Sequence, residues 1–306
     1  MKHGFLGRDI ISIKDFTKTE IIELLKNARQ LKKKPQPRLL AGYILGSCFF
    51  EPSTRTRLSF ETAMQRLGGR VVGFADPNTT STKKGETLYD TIRIIGQYVD
   101  VITMRHHLDG AARRAGEATD KPIVNAGDGA NQHPSQTLLD LFTIQETQKK
   151  LEGLDIALVG DLKYGRTVHS LAQALTHFGA RIYCVAPDSL QMPSYILDEL
   201  KANKIKYSLH KRIEEVINKV DVLYMTRIQG ERFADPTEYE QIKDVYTLTP
   251  DMLTKVRKNL RILHPLPRVK EIDTRVDTTP YAYYFEQAEN GLYVRQALLA
   301  AVLGKL

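Results

Sequence analysis

Apolar positions in this chain keep two rhythms by turns. Ile21, Ile22, Leu24, Leu25, Ala28 and Leu31 recur at helical spacing and predict a helix over 18–33, closed by Pro35 and Pro37. The short apolar run 44–50 reads as a buried strand. Phe60, Ala63, Met64 and Leu67 return to helical spacing, so 53–67 reads as a helix that Gly68-Gly69 stops. A strand at 71–75 completes a βαβ unit, which implies a parallel sheet. Further on, the pattern predicts helix 88–97, strand 99–104, a short helix 111–118 and strand 123–127. A long helix then opens from 128–136 and runs through Leu138, Leu139, Leu141, Phe142 and Ile144; it joins two domains.

The second half restarts the alternation. Strand 156–160, helix 167–178 ended by Gly179, strand 182–185, helix 193–203 and a weaker strand near 206–209 follow in order. Helix 212–219, strands 222–225 and 262–263 and an apolar terminal helix 291–306 complete it. Strands alternating with helices through both halves predict an α/β fold of two doubly wound parallel-sheet domains. The length, 306 residues, agrees, since it exceeds what one core usually serves.

Composition narrows the function classes. At 42% hydrophobic and 26% charged the chain is an ordinary soluble globular protein. No apolar run approaches the roughly 20 residues a membrane span needs, and Met1-Lys2-His3-Gly4 leads into no signal-like segment. Cys48 and Cys184 both lie in strand-like runs and read as reduced, buried thiols of a cytoplasmic protein. The net charge of +8 is dispersed. No zinc-finger spacing or basic-aromatic signature points to nucleic acid, and a small, multiply anionic substrate fits the charge.

The candidate chemistry sits where strands end. Ser53-Thr54-Arg55-Thr56-Arg57 stands between strand 44–50 and the helix that follows. A helix N-terminus offers unpaired N–H groups and the positive end of its dipole. Hydroxyls and guanidiniums added there make an oxyanion site whose natural occupant is phosphate. Two arginines in a first turn oppose the dipole, so something anionic should compensate them; the competing reading is a Ser N-cap on a solvated turn. Arg105 follows the next strand, and His133 and Gln136 follow 123–127. In the second half Lys163, Arg166 and Thr167 come after 156–160, Thr226, Arg227 and Gln229 after 222–225, and His264-Pro265-Leu266-Pro267-Arg268 after 262–263. Ligands of open α/β sheets bind beyond such strand ends. Taken singly, His133 could cap a helix, His106, His107 and His264 read as structural, and Arg166 or Arg227 could pair with a surface carboxylate. The loop tip Lys83-Lys84-Gly85-Glu86-Thr87 is a candidate lid. No metal-ligand spacing and no nucleophile elbow is present. Gly160 to Thr167 fits a Walker A frame except that Arg166 replaces lysine, and Asp161 would repel phosphate.

Phe50-Glu51-Pro52-Ser53-Thr54-Arg55-Thr56-Arg57 resembles the carbamoyl-phosphate signature of the aspartate and ornithine carbamoyltransferases. The likeness continues through Lys83–Glu86, Arg105, His133-Pro134-Ser135-Gln136 and His264-Pro265-Leu266-Pro267, and so covers essentially the whole chain. Lys163 to Ser170 and Thr226 to Gln229 are similar to the aspartate-binding segments. The ornithine members instead carry a Ser-Met-Gly loop, and a cysteine where this chain has Leu266.

The resemblance implies a carbamoyl-phosphate-binding domain over 1–134 with helix 291–306, an L-aspartate-binding domain over 135–290, and the active site in the cleft between them. Carbamoyl phosphate would be held by Ser53, Thr54, Arg55, Thr56 and Arg105. Thr56, Arg105 and His133 would contact its carbonyl oxygen, and Gln136 with the backbone carbonyls of Leu266 and Pro267 its amino group. Arg55, Thr56, Arg105 and His133 would thus be the catalytic set. Arg166 and Arg227 would fork the two carboxylates of L-aspartate, assisted by Gln229 and Lys84.

The implied reaction yields N-carbamoyl-L-aspartate and phosphate, the committed step of de novo pyrimidine (UMP) biosynthesis, with no metal or organic cofactor. A homotrimer sharing active sites between subunits is implied; Lys84 and a loop hydroxyl, Thr80 or Ser81, would reach the neighbouring site. Regulatory chains in a larger assembly stay open. Glu51 pairing with Arg166 and Arg232 would set domain closure, and the loop 228–239 would act as a lid. The runner-up readings are carbamoyl transfer to another amine such as ornithine, and a degenerate nucleotide-binding module.

Overall fold

The computed structural model describes residues 4–228 and 246–306. They divide into two compact units: Met1–Leu139 with Glu289–Leu306, and Asp140–Ala288. The division falls inside two helices, Pro134–Gln148 and Tyr284–Val302.

Unit 1 begins with helix α1 (Lys18–Lys33), started by a reciprocal cap in which the Thr17 hydroxyl accepts from Glu20 N–H and the Glu20 carboxylate accepts from Thr17 N–H. Strands β1 (Ile44–Phe49), β2 (Arg70–Phe74), β3 (Val101–His106) and β4 (Ile123–Asp128) form one parallel sheet in the order β2-β1-β3-β4. Helices α2 (Thr54–Arg66), α3 (Leu88–Ile95) and α4 (Ala111–Gly116) supply the crossovers. Strands β1, β3 and β4 are buried almost throughout, as expected of parallel strands covered on both faces. Helix α5 (Pro134–Gln148) follows β4.

Unit 2 repeats the plan with β5 (Asp155–Val159), α6 (Arg166–Leu175), β6 (Arg181–Val185), α7 (Ser194–Ala202), β7 (Tyr207–His210), β8 (Val222–Met225) and β9 (Arg261–Leu263). Its sheet is also parallel, in the order β7-β6-β5-β8-β9. Both sheets switch direction of winding beside their first strand, which is the doubly wound topology the alternation predicts. Helix α8 (Tyr284–Val302) returns the chain to unit 1.

Two expectations differ from the structure. The predicted helix 212–219 is a single 3₁₀ turn, Ile213–Glu215, followed by turns. Its apolar spacing is helical, but Ile213, Val216 and Ile217 are β-branched and lose rotamer freedom in a helix. They are buried without one. The terminal helix starts at Tyr284 instead of 291. Gly291 marks no boundary: a Cβ there would lie 2.5 Å from Arg295 Nη1 and 2.9 Å from Leu139 Cδ2. The glycine is needed for close packing inside the helix.

Gly160, just after β5, has a comparable task. Its φ is +111°, and a Cβ would lie 2.3 Å from the Thr226 carbonyl oxygen. This close approach lets Thr226 donate both its N–H (2.8 Å) and its hydroxyl (2.9 Å) to the Val159 carbonyl. The carboxyl ends of β5 and β8 are thereby clamped together. Gly160→Ala should cost about 1–3 kcal/mol from backbone strain alone. Urea denaturation of the variant should show an earlier unfolding midpoint, and an unchanged midpoint would mean that the two strand ends can separate freely.

Candidate functional site

In unit 1 the predicted residues gather at the carboxyl edge of the sheet. β1 and β3 pair in register Phe49 with Arg105, and β3 and β4 reach His106 opposite Asp128. The Phe50 N–H donates to the Arg105 carbonyl (2.9 Å), so the turn leading to Ser53 starts beside Arg105. Ser53 occupies the N-cap of α2, but its side chain makes no capping bond. The N–H groups of Thr54, Arg55 and Thr56 have no acceptor among the described residues, whereas Arg57 N–H bonds the Ser53 carbonyl (3.2 Å). Ser53 therefore stands at the N-cap without capping. The chain builds a helix end with its amides and hydroxyls uncommitted.

The two arginines of that turn part company. Arg57 is tied to Glu61 one turn on (3.1 Å), and Glu61 also accepts from the Ser47 hydroxyl (2.9 Å). That carboxylate supplies the compensation expected for one cation. Arg55 has no carboxylate partner among the described residues, and desolvation lowers its pKa. Thr56, between them, is buried.

Arg105 has an ion pair on one side, without hydrogen-bond alignment, and a long hydrogen bond on the other. Its Nε lies 3.0 Å from Glu51 Oε2, and its Nη1 is 3.4 Å from the Ala126 carbonyl. Glu51, expected to pair with Arg166 and Arg232, meets Arg105 within unit 1; Arg232 lies outside the described residues.

His133 and Gln136 open α5 and are buried; His133 Nδ1 is 3.5 Å from the Ser135 hydroxyl. The turn before them hangs on Asp128, a buried carboxylate the sequence reading passed over. It accepts from Asn125 Nδ2 (2.8 Å), Gly110 N–H (2.9 Å), Gln132 N–H (3.1 Å) and Asn131 Nδ2 (3.1 Å). Asn125, three residues earlier, also holds the Gly127 N–H, so an Asn-x-x-Asp-Gly turn was the available signal. His106 shares this corner: burial chiefly, then the neighbouring His107, lowers its pKa, and its Nδ1 accepts the Leu108 N–H. It reads as structural, as expected.

Lys84 is exposed on the 3₁₀ turn Ser81–Lys84. The Thr80 hydroxyl donates to the Pro77 carbonyl (2.7 Å), and Ser81 is exposed.

In unit 2 the corresponding edge belongs to β5, β8 and β9, adjacent in the sheet. Arg166 is the first residue of α6, and Arg227 comes two residues after the end of β8; the Gly160 clamp brings the two loops side by side. The Walker-like loop closes on itself instead of forming a phosphate cradle. Asp161 is buried and accepts the Tyr164 N–H (2.9 Å), while a Cβ on Gly165 would lie 2.5 Å from the Asp161 carbonyl. His169 is buried against the Leu162 carbonyl (2.7 Å), and burial lowers its pKa. Leu266 and Pro267 follow β9; Leu266 has φ +54°, and the peptide between them is cis. Gln229 and the predicted lid from 229 onward lie outside the described residues. Among the described residues no cluster of three or more His, Cys, Asp or Glu side chains could hold a metal ion, and no helix is long and apolar enough to cross a membrane.

Two parallel α/β sheets whose carboxyl edges collect cations, hydroxyls and uncommitted amides define a two-domain protein for small anionic ligands. The family comparison is specific. Residues 8–146 match the aspartate/ornithine carbamoyltransferase carbamoyl-P binding domain, and 152–302 match the Asp/Orn binding domain of the same proteins. The chain belongs to the aspartate/ornithine carbamoyltransferase family. Aspartate carbamoyltransferase catalytic subunit 2 of Shewanella halifaxensis is 56% identical over 304 residues, covering 99% of this chain and 98% of the relative. The catalytic subunit of Chromobacterium violaceum aspartate carbamoyltransferase is 58% identical over 298 residues, 97% of this chain and 98% of the relative. Among solved structures, Trypanosoma cruzi aspartate transcarbamoylase in complex with carbamoyl phosphate and aspartate superposes with a TM-score of 0.91 at 39% identity, covering 98% of this chain and 97% of that one.

The ion pairs of unit 1 separate the roles of its cations. Arg55→Ala should weaken inorganic phosphate binding about 10- to 150-fold, the equivalent of one charge-assisted hydrogen bond of about 1.5–3 kcal/mol. Arg57→Ala, already neutralised by Glu61, should change it by less than about threefold. Isothermal titration with phosphate decides; equal losses would erase the distinction. Glu51→Gln should release Arg105 and weaken phosphate about five- to tenfold in the same titration.

Proposed function

We propose that this chain transfers the carbamoyl group of carbamoyl phosphate to the amine of L-aspartate, giving N-carbamoyl-L-aspartate and phosphate. The observation that carries the reading is the division of cations between the units. An oxyanion-type helix end with Arg55 and Arg105 stands in unit 1, and Arg166 and Arg227 stand at adjacent strand ends of unit 2. A phosphorylated donor needs the first set. A dicarboxylate acceptor needs the second, since each carboxylate takes one planar guanidinium fork. Ornithine presents one carboxylate and a second cation, which two arginines do not suit, and the relatives above are aspartate carbamoyltransferases.

The chemistry follows from the residue types. Ser53, Thr54, Arg55 and Thr56 hold the phosphate with the first-turn amides of α2. Thr56, Arg105 and His133 donate to the carbonyl oxygen, and Gln136 with the carbonyls of Leu266 and Pro267 receives the amino group. The aspartate amine attacks the carbonyl carbon, forming the new C–N bond and placing negative charge on that oxygen. The tetrahedral species collapses as the C–O bond to phosphate breaks. The departing phosphate takes the proton that the amine gives up, so the balance needs no further co-reactant. Each oxyanion donor is worth about 2.7–4 kcal/mol in such sites. Holding both substrates in attack geometry is worth about 7–11 kcal/mol, so orientation outweighs any single donor. The product feeds de novo pyrimidine synthesis.

The proposal extends to the assembly. Val72 on edge strand β2, Ile94 on α3 and Tyr98 remain at least half exposed in unit 1. They supply apolar surface of the kind a second copy covers. A homotrimer, with Lys84 and the Thr80–Ser81 loop acting in a neighbouring site, is the assembly proposed, and cytoplasm its compartment. Cys48 and Cys184 are free and buried, and burial pushes both thiols up to about 12, which suits a reducing compartment.

Supplied with carbamoyl phosphate, the chain should carbamoylate L-aspartate and leave L-ornithine essentially untouched; preference for ornithine overturns the reading. Arg227→Ala should raise the aspartate KM by 10-fold or more with carbamoyl-phosphate affinity nearly unchanged. Sedimentation equilibrium should give three times the chain mass, and a Val72→Glu, Ile94→Glu double variant should shift it toward monomer. A monomeric parent would remove the assembly proposal and leave the chemistry standing.

A further inference from the structure

Leu266 sits in the left-handed region, at φ +54°. A leucine there costs about 1–2 kcal/mol and persists only where its surroundings over-determine it. The surroundings are a buried polar chain that the reaction above does not use. The Leu266 N–H donates to His264 Nδ1 (2.8 Å). With Nδ1 accepting, the proton of a neutral imidazole stands on Nε2, which lies 2.8 Å from Glu271 Oε1. The other oxygen of Glu271, Oε2, accepts the N–H groups of Val269 and Lys270 (both 3.0 Å). One carboxylate thus grips both sides of the loop, His264 before Leu266 and the two amides after Pro267.

The chain is anchored behind. The His264 N–H donates to Gln287 Oε1 (2.8 Å), Gln287 Nε2 donates to Asp140 Oδ1 (2.7 Å), and the Tyr224 hydroxyl donates to Asp140 Oδ2 (2.8 Å). The side chains of His264, Glu271, Gln287, Asp140 and Tyr224 are buried. Burial by itself would raise the Glu271 pKa, but the hydrogen bond from His264 and those from the loop amides outweigh that and hold the carboxyl below its usual range. An ionised, fully engaged carboxylate at 8% exposure is a rigid anchor.

We propose that Glu271 is a positioning residue: through His264 and the amides of Val269 and Lys270 it fixes the Leu266–Pro267 backbone so that its carbonyl oxygens receive the amino group of carbamoyl phosphate. This rests on the carbamoyl-transfer reading. It assigns to a buried carboxylate, distant in sequence from every cation of the site, the selection of an amino-bearing donor over its methyl analogue. The discrimination has a chemical basis. Acetyl phosphate has the size and charge of carbamoyl phosphate but no N–H to donate, and a site built around carbonyl acceptors rejects the analogue that leaves them unpaired.

The test compares carbamoyl phosphate as substrate with acetyl phosphate as competitive inhibitor, in the full chain. The parent enzyme should bind carbamoyl phosphate the more tightly. Glu271→Gln puts an amide N–H where two donors already point, so it should raise the carbamoyl-phosphate KM about 10-fold or more while the acetyl-phosphate inhibition constant moves less than about twofold. His264→Asn keeps an oxygen near the position of Nδ1 for the Leu266 N–H but cannot reach Glu271, so it should lose the preference as Glu271→Gln does. Equal weakening of both ligands in Glu271→Gln, or a preference kept by His264→Asn, overturns the proposal. Should Glu271→Gln not fold, His264→Asn decides. A parent chain that turns over no carbamoyl phosphate at all would instead sink the reading on which the proposal rests.

Discussion

A parallel sheet forces every strand to end on the same side. That constraint governs both units of this protein. Loops that are far apart in sequence, after β1, β3 and β4 in one sheet and after β5, β8 and β9 in the other, are delivered to one edge because hydrogen bonding leaves them no other exit. Crossover helices then begin at that edge, so their N-terminal amides and positive dipole ends collect there as well. Anion chemistry is the natural use of such an edge, and the arginines at 55, 105, 166 and 227 add charge where the backbone already favours it.

The sites depend as much on carboxylates as on cations. Glu61 removes Arg57 from play, Glu51 steadies Arg105, Asp128 ties the turn ahead of His133, and Glu271 braces the loop holding Leu266. Glu61, Asp128 and Glu271 accept directional hydrogen bonds, and Glu51 acts by charge. Preorganisation of this kind lets a site present its donors without reorganising when charge develops. It also explains why so basic a chain can hold its guanidiniums in fixed directions: the short acidic partners, placed one by one, decide which cations point outward.

Much of this architecture was legible in the residues alone. The rhythm of apolar positions located the strands and major helices, because parallel strands buried on both faces leave unmistakable runs such as Ile44–Phe49 and Ile156–Val159. It failed at 212–219, where apolar spacing mimics a helix but β-branched side chains favour a turn. It also failed at Gly291, where a glycine that usually ends a helix serves packing within one. Ser53 to Arg57 read as a strand-to-helix turn, and Ser53 does stand at the N-cap of α2. The acidic partners were only partly legible. Glu61 stands four residues after Arg57, and Asp128 lies in an Asn-x-x-Asp-Gly turn, but no spacing along the chain marks Glu271 as the carboxylate that His264 and two loop amides will meet.

The path of the C-terminal segment has a consequence for how the molecule is made. Unit 1 includes Glu289–Leu306, and that segment is stitched into it: Gly7 N–H bonds the Val302 carbonyl, Lys32 bonds Asn290, and Arg295 reaches Ser59 over the ring of Phe60. Unit 2 is one continuous stretch, complete before that last segment is translated. The first part of unit 1 therefore leaves the ribosome early and waits, one side of its core unsealed, while a whole second unit is synthesised between its two pieces. The order of birth and the order of completion are reversed, and a nascent chain stalled short of Glu289 exposes to chaperones the surface that the final helix covers.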